Sequence, residues 1–173
     1  IMEQPIIAGV AHDLGDAKIT VVGVPDRPGM AAAIFQAVAD SGINMDMIVQ
    51  NVSVHESGAT DVTFTCPRGD ATKAELALRR IEKEVNFKDI DTDENIAKIS
   101  LVGAGMRSHP GVSATFFKAI AGAGVNVEMI STSEIRISVV TRAQDAEKAV
   151  TAIHTAFGLD ADGEAVVYGG TGR

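Results

Sequence analysis

The sequence predicts an α+β protein built from two copies of one unit, each with the order strand, helix, strand, strand, helix, strand. The main observation is an internal repeat, because residues 18–55 and 98–134 carry the same pattern. The two copies start 98 − 18 = 80 residues apart, and their Pro-Gly pairs lie 110 − 28 = 82 residues apart, so the second copy has two extra loop residues. A repeat of this length indicates a duplicated supersecondary unit and a pair of related sites.

The composition is that of a folded protein. Apolar residues make up 46% of the 173 residues, mean hydropathy is +0.15, and the formal net charge is −8. The longest apolar runs, such as residues 6–10, are far too short to cross a membrane. The chain start lacks a charged leader and Cys66 is the single cysteine, so we expect a reduced, cytoplasmic setting. Cys66 lies in an alternating run with no histidine nearby in sequence, which predicts a buried core thiol and not a nucleophile.

Alternating apolar residues bounded by turn residues predict four strands in each copy. The two middle strands of each copy are close enough in sequence to form a hairpin, which turns at 56–58 in the first copy and near Ser133 in the second. The predicted strands are 18–24, 44–53, 60–66 and 87–90 in the first copy, and 97–103, 126–131, 135–140 and 164–168 in the second.

Apolar residues at helical spacing predict two helices in each copy. The first helices cover 29–41 and 111–121, and the second ones begin near Asp70 and Ala143. Gly42 directly follows the first of these helices and is the expected stop. The stripes expected to face the sheets are Met30, Ile34, Phe35 and Val38; Ala74, Leu78, Ile81 and Val85; Val112, Phe116, Phe117 and Ile120; and Ala146, Val150, Ile153 and Phe157.

This order of elements is typical of two ferredoxin-like α+β sandwiches, each an antiparallel sheet with its helices on one face. Some residues lie outside the repeat. Residues 6–10 are predicted as an additional strand, 12–16 as a polar linker, and 169–173 as a loose tail.

The loop after each first strand is the candidate ligand site. In the first copy, Pro28 is expected to set φ at the first helical position, and Gly29 allows a close approach to the backbone. The N–H groups of Gly29, Met30 and Ala31 would point out of the helix start, where they could hold a carboxylate, with Asp26 beside them for an ammonium group. This predicts a receptor for a free amino acid. The alternative is that Pro-Gly merely shapes a turn before a helix.

Several stretches resemble one known family. The repeated unit with its Pro-Gly loop is similar to the ACT domain, a module that binds amino acids in allosteric enzymes of amino-acid metabolism. The pattern is closer still to the regulatory region of aspartate kinase, over nearly the whole chain. The stretches that carry this resemblance are Pro28-Gly29, Gln50 to Ser53, Asp61 to Thr65, Val102 to Met106, Ser108 to Gly111 and Ile130 to Val139.

The resemblance implies a regulatory, or β, subunit of an α2β2 aspartate kinase, or the same region of a longer single polypeptide. It implies two partners, a second copy bound through the ACT domains and the catalytic α subunit. In that family one ACT domain is inserted into the other, which implies a first domain at 17–95 and a second domain made of 1–16 and 96–168. The strand at 6–10 would then join the sheet of the second domain.

The resemblance also implies amino-acid effectors between the first domain of one chain and the second domain of its partner. Threonine would be the main effector and lysine a second one, with feedback inhibition of aspartate phosphorylation as the result. The loop of the second copy differs, since Arg107-Ser108-His109 replaces Asp26-Arg27 and contains no acid. Alternatively, Gln50 and Asn126 only satisfy local backbone groups. The threonine site would comprise Asp26, Gly29, Met30, Ala31, Gln50, Asn126 and Val127, and the lysine site Asp46, Ser113, Ser133 and Glu134.

No catalytic residue, metal site or cofactor is predicted. Gly103-Ala104-Gly105 follows a strand, but Ser108 stands at the third glycine position of a dinucleotide fingerprint. The four histidines lack the spacing of a metal site. In the family the catalytic domain precedes this region, so the resemblance implies regulation without phosphoryl transfer.

Two other functions share this element order. RNA-binding modules need aromatic residues on the sheet and a basic surface, whereas this chain has 4% aromatic residues and a net charge of −8. Nucleic acid is therefore not an expected partner, and neither is a membrane. A dimerisation or assembly module of a metabolic enzyme that binds no ligand would have the same sequence features, so binding experiments must separate the two.

Overall fold

The computed structural model describes residues 6–52, 58–105, 109–159 and 166–170, the last segment as backbone only. The chain divides into two compact units. The inserted unit consists of residues 16–94, and the split unit combines residues up to 15 with those from 95 onward. The two junctions between the units, 15/16 and 94/95, lie one residue before the junctions 16/17 and 95/96 expected from the sequence.

The described residues form nine strands and five helices, the fourth and longest of which has 13 residues. Two short 3-10 turns, at Arg68–Asp70 and Ala143–Asp145, lead into α2 and α5. None of these helices combines the length and the hydropathy that crossing a bilayer requires. The elements are β1 (Ile6–Asp13), β2 (Asp16–Pro25), α1 (Met30–Asp40), β3 (Asp46–Val52), β4 (Ala59–Pro67), α2 (Ala71–Arg80), α3 (Glu82–Val85), β5 (Asp89–Asp93), β6 (Ile96–Ala104), α4 (Pro110–Gly122), β7 (Met129–Thr132), β8 (Arg136–Arg142), α5 (Ala146–Ala156) and β9 (Val166–Gly170).

The inserted unit has an antiparallel sheet in the order β3-β4-β2-β5. Residues of α1, α2 and α3 share one core with alternate residues of β2 and β4, so the helices cover one face of this sheet. The predicted order strand, helix, strand, strand, helix, strand is confirmed here. The buried members of this core are Ile19, Val21, Val24, Ile34, Val38, Ile43, Val62, Phe64, Cys66, Ala74, Leu78, Val85 and Phe87.

The split unit has a five-stranded sheet in the order β7-β8-β6-β1-β9. β1 is antiparallel to β6, which confirms that the leading strand joins the sheet of the second copy. β1 also pairs in parallel with β9, so the expectation of a purely antiparallel sheet is wrong for this unit. The chain returns to the sheet beside β1 and not beside β6, and this placement reverses the relative direction of the edge pair. The core includes Val10, Ile99, Leu101, Phe116, Ile120, Ile137, Val139 and Ile153.

The repeat in the sequence is also a repeat in the packing. Ile19 and Val21 of β2 are buried at the positions that Ile99 and Leu101 occupy in β6. On the opposite face, each sheet has one pair of hydroxyl groups that face each other across two strands. The oxygen–oxygen distances are 3.1 Å for Thr20 and Thr63 and 2.7 Å for Ser100 and Ser138.

The structure corrects the predicted connections outside the repeat. Residues 12–16 are not a linker, because β1 continues to Asp13 and β2 begins at Asp16. The tail expected at 169–173 is not loose throughout, since β9 extends to Gly170, and residues 171–173 lie outside the described part of the chain. In both places pairing with neighbouring strands extends a segment that is too polar or too glycine-rich to be predicted as a strand.

Several predicted boundaries within the units were also wrong. The second helix of the inserted unit is interrupted at Ile81 (φ −103°) between α2 and α3. Asn86 then adopts a left-handed conformation (φ 59°), so the buried Phe87 precedes β5 and is not part of it. In the split unit, β7 begins at Met129 and not at residue 126. Residues 53, 56, 57, 164 and 165 of the predicted strands and turns lie outside the described residues.

Gly23 provides a direct test of the β2 geometry. Its φ is 68°, and a Cβ atom there would lie 2.8 Å from Cγ of Lys88. We predict that Gly23→Ala lowers the free energy of unfolding by about 1–2 kcal/mol, since the left-handed conformation is strained and the Lys88 side chain must move. Urea denaturation measures this change.

Gly69→Ala is the matched control. Gly69 has no positive φ, and a Cβ atom there would meet nothing within 4 Å. Its substitution should change the unfolding free energy by less than about 0.5 kcal/mol. Equal effects of the two substitutions would contradict the strained geometry assigned to Gly23.

Candidate functional site

Three strand ends meet at one end of the inserted unit's sheet. The last residue of β2, Pro25, pairs with Ala59 at the start of β4. The last residue of β3, Val52, pairs with Thr60 in the same region of β4. The loop that leads from β2 into α1 therefore starts at the same end of the sheet as the end of β3, with the start of β4 between them. This arrangement follows from the antiparallel order and needs no side chain to create it.

Backbone hydrogen bonds fix the first part of this loop. The Asp26 N–H donates to the Gly58 carbonyl at 2.8 Å, which ties the loop to the residue before β4. The Arg27 N–H donates to the Pro25 carbonyl at 2.9 Å. The Asp26 side chain is exposed and carries its carboxylate at the surface. The loop is therefore held in place by its backbone, which leaves the carboxylate of Asp26 accessible to a ligand.

Helix α1 starts one residue later than the sequence predicts. Gly29 is the N-cap and has φ 91°, and its position has no atom within 4 Å of an added Cβ. Pro28 is therefore not at the first helical position, which is a correction; in the second copy α4 begins at Pro110, one residue before the predicted start at Gly111. In the first loop only, the left-handed Gly29 stands as an additional residue between the proline and the helix.

The helix start offers fewer donors than predicted. The Met30 N–H is not free, because it donates to the Arg27 carbonyl at 3.3 Å within the turn. No backbone acceptor for the N–H groups of Gly29 and Ala31 is found in the described part of the chain. The first bond within the helix joins the Ala33 N–H to the Gly29 carbonyl at 3.0 Å. Two of the three expected donors can therefore meet an anion, in the positive field of the helix start.

Gln50 lies on β3 at the same end of the sheet. It pairs with Val62, and directly opposed residues point to the same face, so Gln50 lies on the face that carries the helices. Its amide nitrogen is 3.4 Å from the hydroxyl oxygen of Thr60, which makes a long and weak hydrogen bond. Thr60 is 2% exposed. The Gln50 amide therefore already makes one weak local hydrogen bond. Its partner is a side chain, whereas the alternative interpretation requires a backbone group.

Two residues that contribute to this region, Thr60 and Arg27, were not predicted from the sequence. The Thr60 hydroxyl orients Gln50, and only the register between β3 and β4 could have indicated it. Arg27 lies in the loop itself, with its guanidinium nitrogen Nη2 3.8 Å from the Met30 sulfur. Arg27 is exposed, so this loop offers both a carboxylate and a guanidinium group. The adjacency of Asp26 and Arg27 was the available signal for the second charge.

The structure places Asn126 and Val127 in the split unit, between α4 and β7. Asn126 is exposed, whereas Val127 is half-buried and packs against the core. Hydrogen bonds hold both sides of the pair, from the Val125 N–H to the Ile120 carbonyl at 3.2 Å and from the Glu128 N–H to the Val140 carbonyl at 2.8 Å. These two residues and the β2–α1 loop thus belong to different units.

The second predicted set is also divided between the units. Ser133 and Glu134 form the turn between β7 and β8, next to the end of β6, because the Gly103 N–H donates to the Ile135 carbonyl at 2.9 Å. The Ser133 hydroxyl accepts the Ile135 N–H at 3.3 Å, so it also shapes its own turn. Ser113 lies in the first turn of α4 and Asp46 at the start of β3 in the inserted unit. Residues 106–108 of the adjoining loop lie outside the described residues.

Cys66 is a core residue, as predicted. It is 1% exposed within the core of the inserted unit. Burial, with smaller contributions from Asp70 and Asp16, raises the pKa of its thiol to about 11. The thiolate is therefore scarce at neutral pH, which argues against a nucleophilic role. Across the described ranges, no three His, Cys, Asp or Glu side chains come together as a metal site.

Comparison with known families matches both units. Two models, each described as an ACT domain, match residues 18–86 and 99–157. The regulatory subunit of aspartate kinase from Thermus thermophilus, solved in its ligand-free form, is 44% identical, with a TM-score of 0.82; the match covers 87% of this chain and 99% of that one. The chain belongs to the aspartate kinase family, as its regulatory ACT-domain part.

Other aspartate kinases show the same relationship. The aspartokinase of Mycobacterium tuberculosis (strain ATCC 25618 / H37Rv) is 57% identical over 172 residues, which are 99% of this chain and 41% of that protein. The aspartokinase of Corynebacterium glutamicum is 51% identical over the same length. A crystal structure of aspartokinase α and β subunits matches with 44% identity and a TM-score of 0.81, over 88% of this chain and 99% of that one. The chain spans about two fifths of the length of the curated aspartokinases that it matches.

The buried state of Cys66 predicts slow thiol chemistry. With the thiol pKa near 11 and the side chain 1% exposed, the folded chain should react with a disulfide reagent at pH 8 at least about 100-fold more slowly than the urea-unfolded chain. The absorbance of the released aromatic thiol measures both rates. The unfolded chain serves as the control, and comparable rates in the two states would contradict the burial of Cys66.

Proposed function

We propose that this chain is the effector-sensing part of an aspartate kinase and that threonine binds at the β2–α1 loop of the inserted unit. The proposal is carried by the helix start, where the N–H groups of Gly29 and Ala31 have no backbone acceptor among the described residues. A carboxylate fits this position, and exposed Asp26 offers a partner for an ammonium group. The Gln50 amide, held by Thr60 on the same face, would bind the threonine hydroxyl.

The site is incomplete within one unit. In this proposal Asn126 and Val127 from the partner chain close over the ligand. Lysine is proposed as a second effector, bound by Asp46 with Ser113, Ser133 and Glu134. Ser133 is the weakest member of that set, since its hydroxyl already serves the β7–β8 turn. Threonine binding would favour one arrangement of paired chains and thereby inhibit aspartate phosphorylation in the cytoplasm, with a coupling free energy of about 1–3 kcal/mol.

Thermal unfolding with and without threonine tests the site. Threonine at 100 times its dissociation constant should stabilise the chain by about 2.7 kcal/mol. Gln50→Ala should weaken threonine binding by about 5- to 30-fold in calorimetric titration, since a hydrogen bond between ligand and amide is lost. Unchanged affinity would remove Gln50 from the site.

Gln36→Ala is the control for that variant. Gln36 is an exposed glutamine on α1, five residues after Ala31, and its amide donates to Asp40 at 2.6 Å. Its loss should leave threonine affinity unchanged. If neither threonine nor lysine stabilises the parent chain, the chain acts as a dimerisation or assembly module without an amino-acid ligand.

We further propose that two copies pair through the edge strands β3 and β7, and that the pair binds a catalytic α subunit in an α2β2 assembly. β3 and β7 lie at the edges of their sheets, which leaves backbone groups available for pairing. Each exposes an isoleucine at the same position of the repeat. Ile48 is 50% exposed and Ile130 is 51% exposed. Two exposed apolar side chains on two open edges favour a partner surface.

Ile48→Lys should weaken this pairing. A lysine ammonium buried at the interface costs more than the isoleucine contact that it replaces, so we expect at least a tenfold higher dimer dissociation constant. Sedimentation velocity over a concentration series measures it. Leu76→Lys is the control, because Leu76 is 56% exposed on α2 and not on an edge strand. Equal dimer stability in Ile48→Lys and the parent chain would contradict pairing through β3.

A further inference from the structure

A cavity of about 410 Å³ lies within the split unit, at the N-terminal end of α5. His12 of β1 lines this cavity and pairs with Ile99, near the start of β6. The loop before α4, in contrast, follows the end of β6. The cavity is therefore at the end of the sheet opposite to the α4 loop. The residues that line it are His12, Leu14, Ala143, Gln144, Ala146, Glu147, Val150 and Thr151.

The walls of this cavity are largely aliphatic. Leu14, Ala146 and Val150 line it together with Ala143. Leu14 is 42% exposed, so an apolar side chain at this cavity faces water. The volume is in the range of small-molecule sites, which is about 300–1,000 Å³. An aliphatic group of four to six carbons would remove this apolar surface from water.

His12 lines the cavity with one ring nitrogen enclosed. It lies on the helix-bearing face of the sheet, directly opposite the buried Ile99. Its Nδ1 atom is inaccessible to solvent and has no hydrogen-bond partner among the described residues. This leaves Nε2 as the nitrogen that can meet a ligand. An enclosed, unpartnered polar atom in a cavity wall is unusual in a finished core, where such groups are normally paired.

The charge of the lining selects the class of ligand. Among the described residues that line it, Glu147 is the one carboxylate and there is neither a lysine nor an arginine. Lys148, which follows Glu147 on α5, forms an ion pair with the carboxylate of Asp145 at 3.6 Å. Gln144 and Thr151 add neutral polar groups. A cation is favoured by this lining, and an anion is not.

We propose that this cavity binds a small aliphatic primary amine, with the ammonium group at Glu147 and the hydrocarbon chain against Leu14, Ala146 and Val150. The side-chain carbonyl oxygen of Gln144 and the hydroxyl oxygen of Thr151 accept hydrogen bonds from the remaining ammonium N–H groups in this arrangement. The site is independent of the threonine proposal, since the described residues that line it all belong to the split unit and none of them belongs to either effector set.

Methyl NMR of the full chain tests the proposal with three probes of one shape, namely isopentylamine, isopentanol and isovalerate. The amine should shift the methyl signals of Leu14 and Val150 in a saturable manner. The alcohol and the carboxylate should bind at least about fivefold more weakly, because each lacks the ion pair. Absence of saturable shifts with the amine, or equal binding of the alcohol or the acid, would overturn the proposal.

Two variants locate the ammonium group. Glu147→Gln should weaken amine binding by about fivefold and abolish the preference over the alcohol. Glu84→Gln is the matched control, since Glu84 is an exposed glutamate on α3 of the other unit. Equal amine affinity in Glu147→Gln and Glu84→Gln would overturn the assignment of the ammonium group. The threonine titration is unaffected by either result, so the two proposals succeed or fail separately.

Discussion

The hydrogen bond from the Asp26 N–H to the Gly58 carbonyl is the constraint on which the candidate site depends. At 2.8 Å it joins the end of β2 to the residue before β4 and so determines where the chain can turn into α1. Gly29, at φ 91°, then gives the turn its direction. Because the sheet register also brings Gln50 to this end, the helix start, a carboxylate and an amide lie at the same end of the inserted unit's sheet.

The sequence predicted the core more reliably than the connections. Ile34, Val38, Phe116 and Ile120 are buried as their spacing indicates, because helical periodicity is a local property of the chain. The predictions for residues 12–16 and 169–170 were wrong because pairing with strands that are distant in sequence extends β1, β2 and β9. Such pairing is not a local property of the chain. A parallel β1–β9 pair has no local signature at all. The fold class thus follows from sequence, whereas the strand order of the split unit does not.

The hydrogen bonds of the candidate site could not be predicted from the sequence. The Pro-Gly loop and Asp26 stand out in the sequence, and the structure places them at one helix start. The Met30 N–H was wrongly expected to be free, because its bond to Arg27 arises from a turn that an N-cap glycine creates. The role of Thr60 depends on register, which sequence does not specify here. The same repeat then yields unlike loops, since α4 begins directly at Pro110 and α1 does not begin at Pro28.

Backbone NMR of the ¹⁵N-labelled chain during a threonine titration tests the central claim most directly. If the carboxylate binds at the start of α1, the amide signals of Gly29 and Ala31 should show the largest shifts and saturate together with that of the Gln50 side chain. The Met30 amide, already bonded to Arg27, should shift less. Saturable shifts confined to other parts of the chain, with Gly29 and Ala31 unchanged, would contradict the account.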